Sequence, residues 1–303
     1  MTEAVTIRDL NHHYPDGTVS LEDVTLTIKE GERIAIIGQN GAGKTTLFLH
    51  LNGSIKSMDD NVLIFGENVR YMPIEKRIQK VGVVFADPDD QLFMPTIYDD
   101  VAFGPTNMGL PRDEVERRVR DALETVGLSG FEDRVPHHMS YGEKKRAALA
   151  AVLSMEPRIL ILDEPTANLD PKNRAILIGL INRLNREKGI TTIVAMHDVN
   201  AVSHLADRVI VLNTTIVADG DAHTIFSDGG LLKANNLEAP EIYKLFRILD
   251  CYGYTCCHKH PLSTTDAPSA FDASLEENGG SIHLRKSEST GDKIQKVMDT
   301  FEY

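Results

Sequence analysis

Long apolar runs are the first thing this sequence lacks. The apolar runs, such as those at residues 34–37 and 159–162, fall far short of the roughly 20 residues a bilayer-spanning helix needs, so no membrane span is expected. Cysteine is scarce: Cys251, Cys256 and Cys257 are the only three, all crowded into one late segment. That excludes a disulfide framework and makes a reducing, cytoplasmic setting the expectation. The opening Met1-Thr2-Glu3-Ala4 has neither the basic nor the apolar region of a secretory signal. Proline is limited to 13 of 303 residues, against 42% hydrophobic and 25% charged residues, which rules out a disordered or fibrous chain. Basic residues are in deficit, 32 against 45 acidic for a net charge of -13. A chain of that sign repels nucleic-acid phosphate, and no nucleic-acid partner is expected. No repeat at solenoid spacing stands out.

What is present is a set of short, nearly continuous apolar runs at residues 33–37, 81–85, 159–162, 192–196 and 209–212. Such runs predict strands buried on both faces of a largely parallel sheet. Helical patterns lie between them. Val115, Val119, Leu123 and Val126 share one face of a segment stopping at Gly127, and a second helix opens on Asp170 and Pro171, carries Leu177, Ile181 and Leu184, and ends near Gly189. The result is an α/β core with crossover helices. Strand signals vanish from about 87 to 155, which predicts a helical subdomain inserted between sheet strands. The expected organisation is therefore a domain over 1–230 containing that insertion, followed by an accessory, partly flexible segment over 231–303. Residues 261–280 in particular are rich in Ser, Thr, Asp, Ala and Gly.

Gly38-Gln39-Asn40-Gly41-Ala42-Gly43-Lys44-Thr45 has the spacing G-x-x-x-x-G-K-[ST] and sits between a predicted strand and a helix beginning Thr45-Thr46-Leu47. Glycines let successive N–H groups wrap around phosphate oxygens at the positive end of the following helix. Lys44 is then placed to reach the β and γ phosphates of a nucleotide, and Thr45 to give a hydroxyl to Mg²⁺. Downstream, the apolar run at 159–162 ends in Asp163-Glu164. One acidic residue at a strand end means little, but two at the ligand-binding edge of a sheet that also carries a phosphate loop suit Asp163 to the Mg²⁺ shell and Glu164 to general-base activation of water.

Met139-Ser140-Tyr141-Gly142-Glu143-Lys144-Lys145-Arg146 precedes an apolar helix just upstream of those carboxylates. It resembles the signature loop of ATP-binding-cassette (ABC) ATPases, usually Leu-Ser-Gly-Gly-Gln or Glu, with departures at Met139 and Tyr141. The resemblance covers residues 5 to about 237 and implies an α/β, P-loop NTPase core of the ABC type with an inserted helical subdomain and a C-terminal extension. It implies that Ser140 and Gly142 close on ATP held by a second ATPase subunit, that Tyr14 stacks on adenine, that Asp170 communicates across the dimer, and that His197 is the switch histidine contacting the γ phosphate and orienting Glu164. Tyr14 also reads as a strand-packing residue and Asp170 as a plain helix N-cap. One departure is Ala86, where the family carries a glutamine; Gln91 belongs to a different position. Either backbone, water or Asp87 makes that contact, or hydrolysis is slow or differently regulated.

The stretches 87–93, 100–107 and 142–146 are similar to the energy-coupling-factor branch of the family, in its cobalt-importer type. This implies an ATPase energising a membrane importer, for cobalt or another transition-metal ion. Its partners are a second ATPase subunit, identical or related, a membrane-embedded coupling protein and a substrate-binding membrane protein, at the cytoplasmic face of the membrane. Phe93-Met94-Pro95-Thr96-Ile97 reads either as a seat for an amphipathic coupling helix or as a loop packed beneath the helical lobe. The alternative reading of the whole is a nucleotide-responsive regulatory, or soluble, ABC ATPase not coupled to transport. Cys251, Cys256, Cys257, His258 and His260 are soft and imidazole groups at no standard zinc spacing, open to metal binding or to a reduced thiol cluster.

Overall fold

The computed structural model describes residues 2–56, 61–254, 259–277, 282, 284–287 and 289–301. In chain order the strands are β1 (Glu3–His13), β2 (Val19–Lys29), β3 (Arg33–Ile37), β4 (Val62–Ile64), β5 (Glu67–Asn68), β6 (Val81–Val84), β7 (Ile159–Asp163), β8 (Thr191–Met196), β9 (Arg208–Asn213) and β10 (Thr215–Asp221). They form two sheets. A four-stranded sheet runs β2-β1-β4-β5 and a six-stranded sheet runs β10-β9-β3-β8-β7-β6. In the larger one every neighbouring pair is parallel except β9 with the edge strand β10.

The continuous apolar runs follow from this layering. Side chains alternate across a strand, so β3 sends Ile34 and Ile36 into a core shared with the smaller sheet, alongside Val5, Ile7 and Phe48. Ala35 and Ile37 enter a second core against the helices, with Leu123, Leu149 and Leu177. Each fully buried Ile or Leu among these is worth about 1.5–3 kcal/mol relative to exposure, and a strand contributing to both cores has no polar face.

The helices are α1 (Lys44–Leu51), α2 (Ile74–Lys80), α3 (Ile97–Asn107), α4 (Arg112–Thr125), α5 (Tyr141–Leu153), α6 (Pro171–Lys188), α7 (Val199–Leu205), α8 (Ala222–Ser227), α9 (Gly229–Ala234), α10 (Glu241–Cys251), α11 (Ala267–Glu277) and α12 (Thr290–Phe301). Between β6 and β7 lie α3, α4 and α5. The last opens on a capping box, with the Ser140 side chain accepting from Glu143 N–H and the Glu143 side chain accepting from the Ser140 backbone. α6 is capped by Asp170 and stopped by Gly189 at φ +66°, as its sequence predicts. Among the described residues no helix is long and apolar enough to cross a membrane.

The C-terminal region departs from the thin apolar pattern of its sequence. Residues 267–277 are helical, and Phe271 packs 5.0 Å from the Phe246 ring and 5.7 Å from Tyr254. α12 returns to the main core, where Phe301 is buried and meets the edge of Tyr243. A few well-placed aromatics do here what a periodic aliphatic stripe does elsewhere.

Candidate nucleotide site

The parallel sheet brings the loop after β3 and the C-terminal ends of β7 and β8 to one edge, where a cleft of about 410 Å³ is lined by Tyr14, residues 40–46, Ala86, Asp163, Glu164 and His197, among others. The loop's glycines are needed for two different reasons. Gly41 and Gly43 have φ of +82° and +98°, the left-handed region that side chains disfavour. Gly38 is pressed so closely on the Leu212 carbonyl that an added Cβ would sit 2.2 Å from its oxygen.

Lys44 opens α1 with its side chain buried. Its Nζ donates to the Gly38 and Gln39 carbonyls at 2.7 and 3.1 Å and lies 3.5 Å from His197 Nε2. Gln39 is tied sideways, its Oε1 accepting from Asn236 at 3.0 Å, while the Ala42 carbonyl accepts from Thr214 N–H at 3.0 Å. Thr45 Oγ1 donates to Asp163 Oδ2 at 3.0 Å, so hydroxyl and carboxylate form a pair of hard oxygen ligands. That donor set fits Mg²⁺. Thr46 faces the other way: it shares a hydrogen bond with Tyr14 Oη at 2.9 Å and accepts from Ser20 at 2.8 Å. Tyr14 is thereby fastened to the helix that carries the phosphate loop.

Glu164 sits just past β7. Its Oε2 accepts from the His197 backbone N–H at 3.4 Å. Oε1 is buried without a hydrogen-bond partner, although His197 Nε2 is 3.4 Å away. An orphaned carboxylate oxygen on a residue that lines the cleft is an unused acceptor. Burial raises the proton affinity of Glu164, opposed by the His197 N–H and Lys44. Burial lowers the pKa of Lys44, opposed by Glu164 and Asp163, and burial and Lys44 together favour neutral His197.

Ser140, Gly142 and Asp170 lie outside this cleft. Ser140 is engaged in its capping box. Gly142 packs on Asn173, which bridges Asp170 and Arg146. Ala86 brings only its methyl and backbone to the cleft. Gln91 is not a substitute for the missing glutamine, because its amide is used inside the fold, accepting from Phe85 N–H and donating to the Ala148 carbonyl. Asp87 caps the turn at 88–90. The apolar stretch divides: Phe93 is 64% exposed and stacks edge-on with the half-exposed Phe103, whereas Ile97 is fully buried. Of the late Cys/His group, Cys251 points its thiol at the Arg247 carbonyl and His260 bonds Asp250 at 2.7 Å. Cys256, Cys257 and His258 lie outside the described residues. Among the described residues no cluster of three or more metal-ligating side chains occurs.

Sequence reasoning did not single out Lys145. Its ammonium is buried beneath the cleft, hydrogen-bonded to the carbonyls of Ala86 and Glu164.

A strand, a glycine loop whose lysine opens a helix, and a second strand delivering paired carboxylates to the same edge define a P-loop nucleoside triphosphatase. Comparison with known proteins narrows the class. The ABC transporter family pattern matches residues 21–167. The chain is 50% identical over 253 residues to the energy-coupling factor transporter ATP-binding protein EcfA of Methanothermobacter thermautotrophicus, spanning 82% of this chain and 81% of that one. Its structure resembles that of cbiO1 from Clostridium perfringens, described as part of the ABC transporter complex cbiONQ, with a TM-score of 0.68 at 39% identity over 78% of this chain and 95% of that one. It also resembles the dimeric ABC cassette MJ0796 bound to ADP and Pi, with a TM-score of 0.65 at 26% identity over 72% and 98% of the two chains. The chain belongs to the ATP-binding, ATP-hydrolysing proteins of ABC transporters, in their energy-coupling-factor branch.

Proposed function

We propose that this ATPase binds MgATP in the cleft, closes against a second ATPase subunit, and uses hydrolysis to energise a membrane importer for cobalt or another transition-metal ion. The observation that carries the reading is the convergence of Lys44, the Thr45–Asp163 pair, and Glu164 with His197 on one cleft. Lys44 exchanges its two loop carbonyls for phosphate oxygens. Tyr14 offers its ring to the adenine. Glu164 takes the proton of the attacking water through its free oxygen, held by His197. Thr45 and Asp163 hold Mg²⁺, which when bound neutralises charge developing on the phosphates.

Ser140, Gly142 and Asp170, set apart from the chain's own cleft, belong in this reading to the subunit interface, where the α5 N-terminus meets the partner's nucleotide. A membrane coupling protein supplies an amphipathic helix to the exposed Phe93 and Phe103 rings. The subunit then works peripherally, at the cytoplasmic face. The transition-metal cargo rests on the branch resemblance of residues 87–93, 100–107 and 142–146.

Lys44→Ala should weaken MgATP binding by about 10–100-fold, the loss of a charge-assisted contact. Glu164→Gln should bind ATP and lose turnover, trapping a closed dimer. Parental hydrolysis by Glu164→Gln would remove the general-base role. Co-purification of the tagged chain from membranes, with identification of the associated membrane proteins and metal-uptake assays on the assembly, tests the transport assignment. Recovery of fully active chain with no membrane protein would favour the uncoupled ATPase instead.

A further inference from the structure

Lys145 is 2% exposed, unusual for a lysine. Its neighbours, both partly buried, bond to side chains: Lys144 reaches the Asp89 carboxylate, and Arg146 the Asn173 amide oxygen. Lys145 instead turns inward from α5 and donates to the Ala86 carbonyl at 2.6 Å and the Glu164 carbonyl at 2.9 Å. Its hydrogen bonds go to backbone, not to a carboxylate, although removing an ammonium from water is unfavourable.

The two carbonyls mark where two strands part. β6 and β7 are paired up to Val84 and Leu162; beyond that point the chains continue to Ala86 and Glu164 without a ladder between them. Glu164 there adopts φ +46°, a left-handed conformation that a residue of its kind keeps only where its surroundings over-determine it. Its N–H donates to the Ala195 carbonyl and its own carbonyl accepts from Ala167 N–H. Lys145 supplies the remaining, charged donor. Tyr141 Oη adds a longer bond, 3.4 Å, to the Ala86 carbonyl.

We propose that Lys145 is a positioning residue for hydrolysis: by clamping the carbonyls of residues 86 and 164 it holds Glu164 in its left-handed conformation and keeps the carboxylate in the cleft. The inference rests on Glu164 being the general base. Because Lys145 lies on the first turns of the helix that Ser140 caps, it also ties that helix start directly to the carboxylate strand. Loss of the clamp lets the peptide after Glu164 rotate toward the right-handed region and swing the side chain away from its place beside His197. Lys44 and the phosphate loop, held by their own bonds, stay where they are. The signature is therefore loss of turnover without loss of nucleotide affinity.

The test uses the full-length chain with MgATP. Lys145→Met, which keeps the stem and removes the donors, should lower kcat by about 10–100-fold with the Kd for MgATP within about threefold of the parent. Lys145→Gln, a shorter donor, should fall between the two. In a Glu164→Gln background, Lys145→Met should cost less than about twofold more, because the group it positions is already disabled. Parental kcat in Lys145→Met, beside an inactive Glu164→Gln, overturns the inference and leaves the general base standing. An active Glu164→Gln removes the general base itself. Should Lys145→Met and Lys145→Gln both lose affinity and turnover together, or both fail to fold, the lysine holds the domain rather than the glutamate, and the proposal is wrong.

Discussion

His50 shows how burial of a single side chain shapes the behaviour of the protein away from the cleft. It lies on the inner face of α1, 2% exposed, with neither ring nitrogen hydrogen-bonded and the His12 ring 5.0 Å away, edge-on. Burial, with His12 as a secondary cause, lowers its pKa from 6.5 to about 4. The folded state therefore keeps His50 neutral across a range where the unfolded chain takes up a proton. Stability is lost as pH falls from about 6.5 to about 4 and changes no further through this group below that. The integrated effect reaches about 3 kcal/mol at most, and about 2 kcal/mol at pH 5 relative to pH 7. His50→Leu, which leaves nothing to protonate, should flatten this part of the profile. Urea unfolding of both proteins at pH 7 and pH 5 measures the difference, and an unchanged acid sensitivity in the variant would exclude His50 as its source.

At the scale of elements, α5 reaches the sheet only because β6 carries a glycine. A Cβ on Gly82 would lie 2.3 Å from Val152 Cγ1 and 3.1 Å from Pro157. Val152 is stiff and buried, so it cannot swing aside. Gly82→Ala should push α5 off the strand and cost about 1–3 kcal/mol by overpacking, read as a lower urea midpoint at an unchanged slope. Parental stability would mean that α5 sits farther from β6 than the structure has it. The same interface shows what can be read from sequence. β3, β7 and β8 are legible because strands buried on both faces have no polar alternation, and α6 because Asp170 and Gly189 punctuate it locally. The phosphate loop is legible because all its parts lie within eight residues. Lys145 is not: within Gly142-Glu143-Lys144-Lys145-Arg146 it reads as one more surface charge, and its burial appears only once α5 lies across the ends of β6 and β7. The tie between Tyr14 and Thr46 joins positions 32 apart, and no local pattern announces it. The aromatic cluster of Phe246, Tyr254 and Phe271 escaped because three rings spread over 26 residues leave no periodic trace.

The whole molecule carries a net charge of -13, and in the proposed cycle two such molecules approach face to face, each bringing a nucleotide that is itself anionic. The attractive contacts between them, helix N-terminus and serine hydroxyl against phosphate, act over a few ångströms in a closed interface and are weakly screened. The repulsion between the two net charges acts over tens of ångströms through solvent. Salt separates the two, since the screening length falls from about 30 Å at 0.01 M to about 10 Å at 0.1 M and about 8 Å at 0.15 M. Raising ionic strength over that range should therefore tighten a homodimer of the Glu164→Gln variant in MgATP by a few-fold. A complex held mainly by long-range attraction would weaken instead. Sedimentation velocity at constant nucleotide, stepping the salt from about 0.01 to 0.15 M, reads the sign directly. If the dimer loosens over this range, its faces carry opposite local charges strong enough to override the net repulsion. If no homodimer forms at any salt, the reading of the chain as a homodimer fails, and the same titration on a mixed pair with a related ATPase subunit then reads the sign for that pair.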